Sequence, residues 1–386
     1  MAAPRPLKVV VTTRLYVPEV GAAAFRLKAL VDGLVEQGAE VTVLTTKLPA
    51  GSPVFKPGYK LRRWPVLRDA GGYVRGYVQY LSFDIPAFFR LLATPADVVV
   101  SEPPPTTGVV VALSSLIRHR PYVYYAADIW SEALSAMDVS PVVKKVLGAV
   151  EGFVLRRAAQ VIAVSEPVAE QVARFNVPAS RIAVAGNGVD TSVFNPGGES
   201  AAAPAPYFIY TGTMSEWQGA DIFIKALPLV REQFPDVELR FFGQGTDEDH
   251  LKMVAHDLVP GGVHFGGVVA PAEAAQRIRG AAGALVSIKP GQGYDFAKPT
   301  KIYAAAGCGV PVVFAGQGAG AEIVEEGGLG IAAGYDPQGV ASAMITMLSA
   351  ENTAADQQRR VDWVAENASL AATGRKAAGV VLQAAN

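Results

Sequence analysis

The sequence predicts an α/β protein made of two Rossmann-like domains, each a parallel sheet covered by helices. Three observations lead there. Short Val-rich apolar runs alternate with segments of helical period, as expected of strands buried on both faces of a parallel sheet. The rhythm stops at a Pro/Gly/Ala run over residues 196–206 and restarts at Tyr207. The length of 386 residues is about two and a half times the ~150 of an ordinary domain.

Lys8–Thr13 reads as a strand, Phe25–Gln37 as a helix carrying Leu27, Leu30, Val31, Leu34 and Val35 on one face, and Glu40–Thr45 as the next strand, with Gly38 as the helix stop. Strands follow at Asp97–Ser101, Tyr122–Ala126, Val161–Val164 and Arg181–Ala185, between helices at Gly108–Arg118, Val142–Ala158 and Pro167–Phe175. These complete a first domain over residues 1–195. The second, residues 207–360, has strands at Tyr207–Thr211, Glu238–Phe242, Val263–Phe265, Gly283–Ser287, Val312–Phe314 and Gly330–Ala332. Its helices are expected at Asp221–Gln233, Ala270–Ala282, Thr300–Ala306 and Pro337–Ser349. Residues 361–386 read as a C-terminal helical segment. Ligands bind beyond the strand C-terminal edges of open α/β sheets, so two such domains are expected to share a cleft suited to two substrates.

Composition narrows the class. Half of the residues are hydrophobic and 18% are charged, which excludes a disordered scaffold. The single Cys308 leaves no internal disulfide, and one Cys with four His forms no zinc-spaced cluster. The polar start, Met1–Lys8, does not read as a secretory signal, and the most apolar run, Gly108–Ile117, is too short for a membrane span. A cytoplasmic location is expected. The net charge of −1 hides an asymmetry, because residues 1–195 carry 21 Lys and Arg against 15 Asp and Glu, and the rest carry 13 against 20. An anionic partner for the first half follows.

Six segments, in order, resemble family 4 glycosyltransferases. They are Pro18 to Arg26, Asp128-Ile-Trp-Ser-Glu132, Asn187-Gly-Val-Asp190 with Phe194-Asn-Pro196, Tyr210-Thr-Gly-Thr213 with Gln218-Gly219, Phe242-Gly-Gln-Gly245, and Pro299-Thr-Lys-Ile-Tyr303 with Gly309-Val-Pro-Val-Val313. The Asp128 segment is similar to that of a bacterial capsule and exopolysaccharide subset. The resemblance implies a GT-B fold, a nucleotide-sugar donor, UDP-linked above all, and transfer with retention at the anomeric carbon. It implies neither metal nor cofactor, and a C-terminal segment returning to the first domain.

A nucleoside diphosphate leaving group needs donors aimed at its growing charge, which backbone N–H groups at helix starts and lysines supply. Gly21, ahead of the first helix, and Thr300 and Lys301, at a later one, fit that need. A lysine in a first helical turn opposes the dipole unless an anion is bound there. Relatives grip the diphosphate with Gly-Arg and Lys-Gly pairs, where this chain has Gly212-Thr213 and Gln218-Gly219. Lys289, Lys298 and Lys301 are therefore expected to carry the positive charge. Two usual donor-site glutamates are replaced by Phe296 and Ala304, leaving Glu322 as the candidate for the ribose hydroxyls. Gly243 and Gly245 suit close approach of backbone to the base. Asp128 and Glu132, just past a strand end, are the catalytic candidates.

On the acceptor side, Lys56, Lys60, Arg62, Arg63, Arg68 and Arg75 alternate with Phe55, Tyr59, Trp64 and Tyr73, ahead of an apolar stretch to Leu92. The cluster suits an anionic lipid surface or a lipid-linked acceptor, with Arg26, Arg62, Arg63 and Trp64 named on that acceptor and membrane side, hence peripheral contact with the inner face of the cell membrane. It carries no nucleic-acid-binding motif. Two alternatives share the architecture: a non-catalytic nucleotide-sugar-binding subunit, and a sugar-nucleotide epimerase.

Overall fold

The computed structural model describes residues 5–385 except 20, 50, 51, 53, 54, 70, 71, 73, 75 and 134–140. Tyr73 and Arg75 therefore lie outside the described residues, as does the side chain of Glu132. The chain divides into two compact units, one of residues 1–187 with 370–386, the other of residues 188–369.

Unit 1 opens with β1 (Lys8–Thr12), α1 (Ala22–Glu36) and β2 (Glu40–Thr46), then β3 (Lys60–Trp64), α2 (Tyr77–Ala93), β4 (Val98–Ser101), α3 (Pro105–Ile117) and β5 (Tyr122–Ala126). It continues with α4 (Trp130–Ala133), α5 (Pro141–Arg157), β6 (Gln160–Ala163), α6 (Glu166–Ala173) and β7 (Ile182–Val184). Among the described residues the strand order is β3-β2-β1-β4-β5-β6-β7, and every recorded pairing is parallel. Val9, Val11, Val41 and Val43 pack beneath α1 on one face, while Val10, Val99, Tyr122 and Tyr124 meet α3 and α5 on the other.

Unit 2 runs β8 (Tyr207–Thr211), α7 (Asp221–Arg231), β9 (Glu238–Phe242), α8 (Glu248–Leu258), β10 (Val263–Phe265), α9 (Pro271–Arg279), β11 (Gly283–Ser287) and α10 (Thr300–Gly307). It ends with β12 (Val312–Ala315), α11 (Ala319–Glu326), β13 (Gly330–Ala333), α12 (Pro337–Ser349) and α13 (Ala354–Asn367). Its order, β10-β9-β8-β11-β12-β13, is again parallel. Phe208, Phe241 and Val313 face α7, α8 and α12 on one side; Ile209, Val286 and Phe314 face α9, α10 and α13 on the other.

The last helix, α14 (Leu370–Ala384), belongs to unit 1 and lies along α1. The two helices approach until backbone meets backbone. A Cβ on Gly374 would come within 2.3 Å of the Ala29 carbonyl oxygen, and one on Gly33 within 2.8 Å of that of Gly374.

Several expectations shift. The change of unit falls at residues 187/188 rather than at 195, because the Pro/Gly run is a strap bound to unit 2. Arg279 donates to the carbonyls of Glu199 (2.9 Å) and Asn195 (3.2 Å), and the Ala201 amide to that of Gln276 (3.0 Å). Residues 361–386 are not one segment, since α13 stays in unit 2. Its buried Arg360 donates from Nε and Nη2 to the Gly309 carbonyl. Lys60–Trp64, taken as a basic cluster, is strand β3, whose alternately exposed side chains put charge along a sheet edge, a usual protection against edge pairing. Helix α3 starts three residues early because Pro105 suits the first helical position.

Candidate functional site

In unit 2 the strand order reverses between β8 and β11, so the loops beyond those two strands form the switch point where such sheets bind ligands. Most donor-side candidates converge there. Thr213 follows β8, Lys289 follows β11, and Thr300 and Lys301 open α10. Lys301 Nζ sits 3.8 Å from the Tyr210 ring centroid and 3.4 Å from the Thr213 carbonyl oxygen. No carboxylate pairs with it among the described residues, and burial pulls its pKa down to about 7. An enclosed ammonium with no carboxylate beside it is the electrostatic environment in which a nearby anion is favoured.

Gly243 and Gly245 have a reason inside the protein. Gly243 has φ +138°, and a Cβ there would lie 1.9 Å from the Gly212 carbonyl oxygen, while one on Gly245 would lie 1.8 Å from that of Met214. The loops after β8 and β9 thus press together, tied by Gly212 N–H to Phe242 O (2.8 Å) and Met214 N–H to Gln244 O (3.1 Å). Gln218 is buried, and its Oε1 accepts from the Tyr210 hydroxyl (3.0 Å) and the Ser215 amide (3.2 Å), so it shapes the loop. Trp217 stacks on Tyr294 at 4.4 Å, and Tyr294 and Phe296 stand exposed in the loop after β11. Lys298 is exposed in the same loop, and Glu322 is exposed in the first turn of α11. Ala304 is buried in the core.

Unit 1 has its own reversal, between β1 and β4. Here the structure assembles a cluster that sequence reasoning named only in part. Glu102, one residue past β4, is buried, accepts from the Thr13 hydroxyl at 2.5 Å and pairs with Arg26 at 3.3 Å. Burial raises its pKa, against the opposing effect of Arg26 and Thr13. Arg26 also stands over the Tyr125 ring at 5.2 Å. Arg26 Nε, Arg14 Nη1 and the Tyr125 hydroxyl are buried without a hydrogen-bond partner among the described residues. Glu102 was findable: it occupies the strand-end position that singled out Asp128.

Asp128 opens to solvent beyond β5, yet the packing on its other side raises its pKa, with Arg26 and a hydrogen bond from Trp130 acting the other way. It is not needed as a helix cap. Glu151 takes that role, accepting from the Trp130 amide (2.8 Å), the Ser131 amide (2.9 Å) and the Ser131 hydroxyl (2.6 Å). Glu132 falls on α4, with its side chain outside the described part. Gly21 precedes α1 in extended backbone, where a Cβ would meet the Leu15 side chain. Arg63 turns inward and donates to the Thr46 (2.9 Å) and Val17 (2.7 Å) carbonyls, anchoring the strand ends. Arg62 and Trp64 face out, with Arg90 over the Trp64 ring at 5.6 Å.

Two parallel-sheet units with ligand-type switch points, one of them holding an enclosed lysine, define the GT-B class of two-domain nucleotide-sugar enzymes. Comparisons with known proteins carry this further. Residues 21–188 match the model of the glycosyl transferase 4-like domain and residues 205–350 that of glycosyl transferases group 1. The chain belongs to the group 1, family 4 glycosyltransferases: it is a nucleotide-sugar-dependent enzyme of a family that retains anomeric configuration. No curated protein sequence matches it. Among solved structures it is similar to Anabaena HepE in complex with UDP, at 19% identity and a TM-score of 0.62 over 98% of this chain and 100% of that one. A Rickettsia africae glycosyltransferase gives 12% identity and a TM-score of 0.65 over 99% of each chain. A putative UDP-N-acetylglucosamine 2-epimerase from Listeria monocytogenes gives 12% and 0.52, over 96% of this chain and 94% of that one, so the fold alone does not separate transfer from epimerisation.

Proposed function

We propose that the chain transfers a sugar from a UDP-sugar to a glycan or lipid-linked acceptor in the synthesis of bacterial surface polysaccharide, working at the inner face of the cell membrane. The observation that carries the donor half is the enclosed, unpaired Lys301 beside the Gly212–Thr213 backbone. A diphosphate there gives the ammonium its counter-charge, and the start of α10 adds backbone N–H groups. Because unit 2 is acidic overall, the attraction is local, resting on Lys301, Lys289 and Lys298. Gly243 and Gly245 let the loops close beside the base, Gln218 holds the loop from beneath through Tyr210 and Ser215, and Thr213 and Glu322 are the polar groups left for phosphate and ribose.

In unit 1, Asp128 is the acceptor-side carboxylate, with Glu102 holding Arg26 so that one guanidinium serves both. As the bond to the anomeric carbon breaks, the leaving diphosphate takes the acceptor hydroxyl's proton, and Lys301 stabilises the charge on the leaving oxygen. HepE, described in complex with UDP, supports a uridine donor by analogy. Purified protein incubated with UDP- and GDP-sugars and an acceptor pool is expected to release UDP. Nucleotide binding without release across acceptors selects the non-catalytic subunit, and interconversion of donor epimers selects the epimerase.

A further inference from the structure

Unit 1 holds a cavity at the edge of its sheet opposite the switch point. Its volume is about 140 Å³, and its walls include Ala112 and Leu116 of α3, Pro121 and Tyr122 where β5 begins, and Phe153 of α5. Asp128 lies beyond the other end of β5, a five-residue strand about 16 Å long. The cavity is therefore separate from the groups around Arg26 and Asp128.

The fold leaves two polar groups unused here. Ser115 is 2% exposed, and its hydroxyl has no hydrogen-bond partner among the described residues; the same holds for the buried Nε of Arg120. Both residues line the cavity. The Arg120 guanidinium is already fixed in place, because Nη1 donates to the Thr94 carbonyl and Nη2 to the Leu91 carbonyl, each at 2.8 Å, at the end of α2. Its Nε is thus a preoriented donor that lacks an acceptor. Burial, with Arg118 nearby, pulls the Arg120 pKa down to about 10, and among the described residues no acid lines the cavity to offset the charge. Arg157 adds a second cation at the lining, 5.9 Å from the centroid of the Phe153 ring.

Size and chemistry together select the occupant. A cavity of about 150 Å³ holds one six-membered carbon ring, and the walls here are mostly carbon. The Tyr122 hydroxyl is already engaged, donating to the Val154 carbonyl at 2.5 Å. Water meets the two free donors but leaves the apolar walls wet, and a small inorganic anion meets the charge but not the walls. A carboxylate carried on a ring answers both needs. Its oxygens accept from Ser115 Oγ and Arg120 Nε, Arg157 adds counter-charge, and the ring lies against Leu116 and Phe153.

We infer that the cavity between α3 and α5 is a second ligand site, which takes a small monocarboxylate with a ring-sized apolar body. The inference goes beyond the sugar-transfer reading and does not rest on it, since the site shares no residue with the donor and acceptor groups named above.

Calorimetric titration of the full chain with benzoate tests this, against benzyl alcohol, a ring without charge, and acetate, a charge without a ring. Benzoate is expected to bind with a Kd of about 1 mM or tighter, at least about tenfold more tightly than either control. Ser115→Ala and Arg157→Gln are each expected to weaken benzoate about three- to tenfold. Ala112→Leu, which fills the cavity, is expected to remove measurable binding. Thermal unfolding without ligand checks that each variant folds, and the two milder variants decide the matter if Ala112→Leu does not. Absence of benzoate binding up to about 10 mM overturns the inference. So does benzyl alcohol or acetate binding as tightly as benzoate, or a benzoate affinity unchanged in both Ser115→Ala and Arg157→Gln. If no sugar donor yields UDP while benzoate behaves as described, the transfer reading fails and this site stands.

Discussion

Replacing Lys301 with methionine separates the cost of an enclosed charge from its use. The ammonium falls from the ordinary lysine value of 10.5 to about 7 through burial alone. At about 1.4 kcal/mol per pH unit this corresponds to roughly 5 kcal/mol against the charged form, and the partial solvent contact of the residue reduces it to about 2–3 kcal/mol. The sign follows from linkage. Between pH 7 and 10.5 the unfolded chain holds this proton and the folded chain does not, so the Lys301 contribution to stability rises with pH across that window. Below pH 7 the penalty is present in full. Lys301→Met is therefore expected to stabilise unit 2 by about 2–3 kcal/mol at pH 6, with the gain shrinking towards pH 10. Donor binding moves the other way. Losing a charge-assisted contact to phosphate removes about 1.5–3 kcal/mol, so UDP affinity is expected to fall about 10- to 100-fold. Urea unfolding at the two pH values and calorimetric titration with UDP measure both halves. A variant less stable at pH 6, or one binding UDP as the unmodified protein does, refutes the account of Lys301.

Gly374→Ala introduces a Cβ within 2.3 Å of the Ala29 backbone and is expected to lower the stability of unit 1 by about 2–3 kcal/mol, read from its thermal unfolding. Asp128→Asn is expected to lower turnover more than donor affinity. Because the Asp128 pKa is raised, the turnover of the unmodified enzyme rises with pH through a point above the ordinary 3.8, and that limb disappears in the variant; a kcat profile that keeps it rules out an essential Asp128 carboxylate.

The alternation of Val-rich runs with helical periods made both sheets readable, because a strand buried on two faces leaves little freedom of composition: Val9–Val11, Val98–Val100 and Val312–Val313 could hardly be elsewhere. Strand β3 was hidden because an edge strand half in solvent tolerates Lys60, Arg62 and Arg63, which in the sequence stand out as a basic cluster rather than a strand. The strap at 196–206 misled for a related reason. Pro and Gly mark irregular backbone, but irregular backbone held by Arg279 is not a hinge. At the site, Lys301 was legible as a cation at a helix start, whereas the Glu102–Arg26 pair required contact across residues far apart in the chain. Gly243 and Gly245 were recognised by type, but their partners, Gly212 and Met214, are a matter of packing that no local pattern carries.

The placement of α14 sets the order in which the protein can be built. Unit 2 is continuous over residues 188–369, whereas unit 1 needs both its first 187 residues and a helix made after all of unit 2. Until that helix is made, the α1 groove around Ala29 and Gly33 has no cover from α14. Unit 1 therefore cannot be completed before the last residue of unit 2 has been made, the reverse of the usual N-to-C order of domain completion.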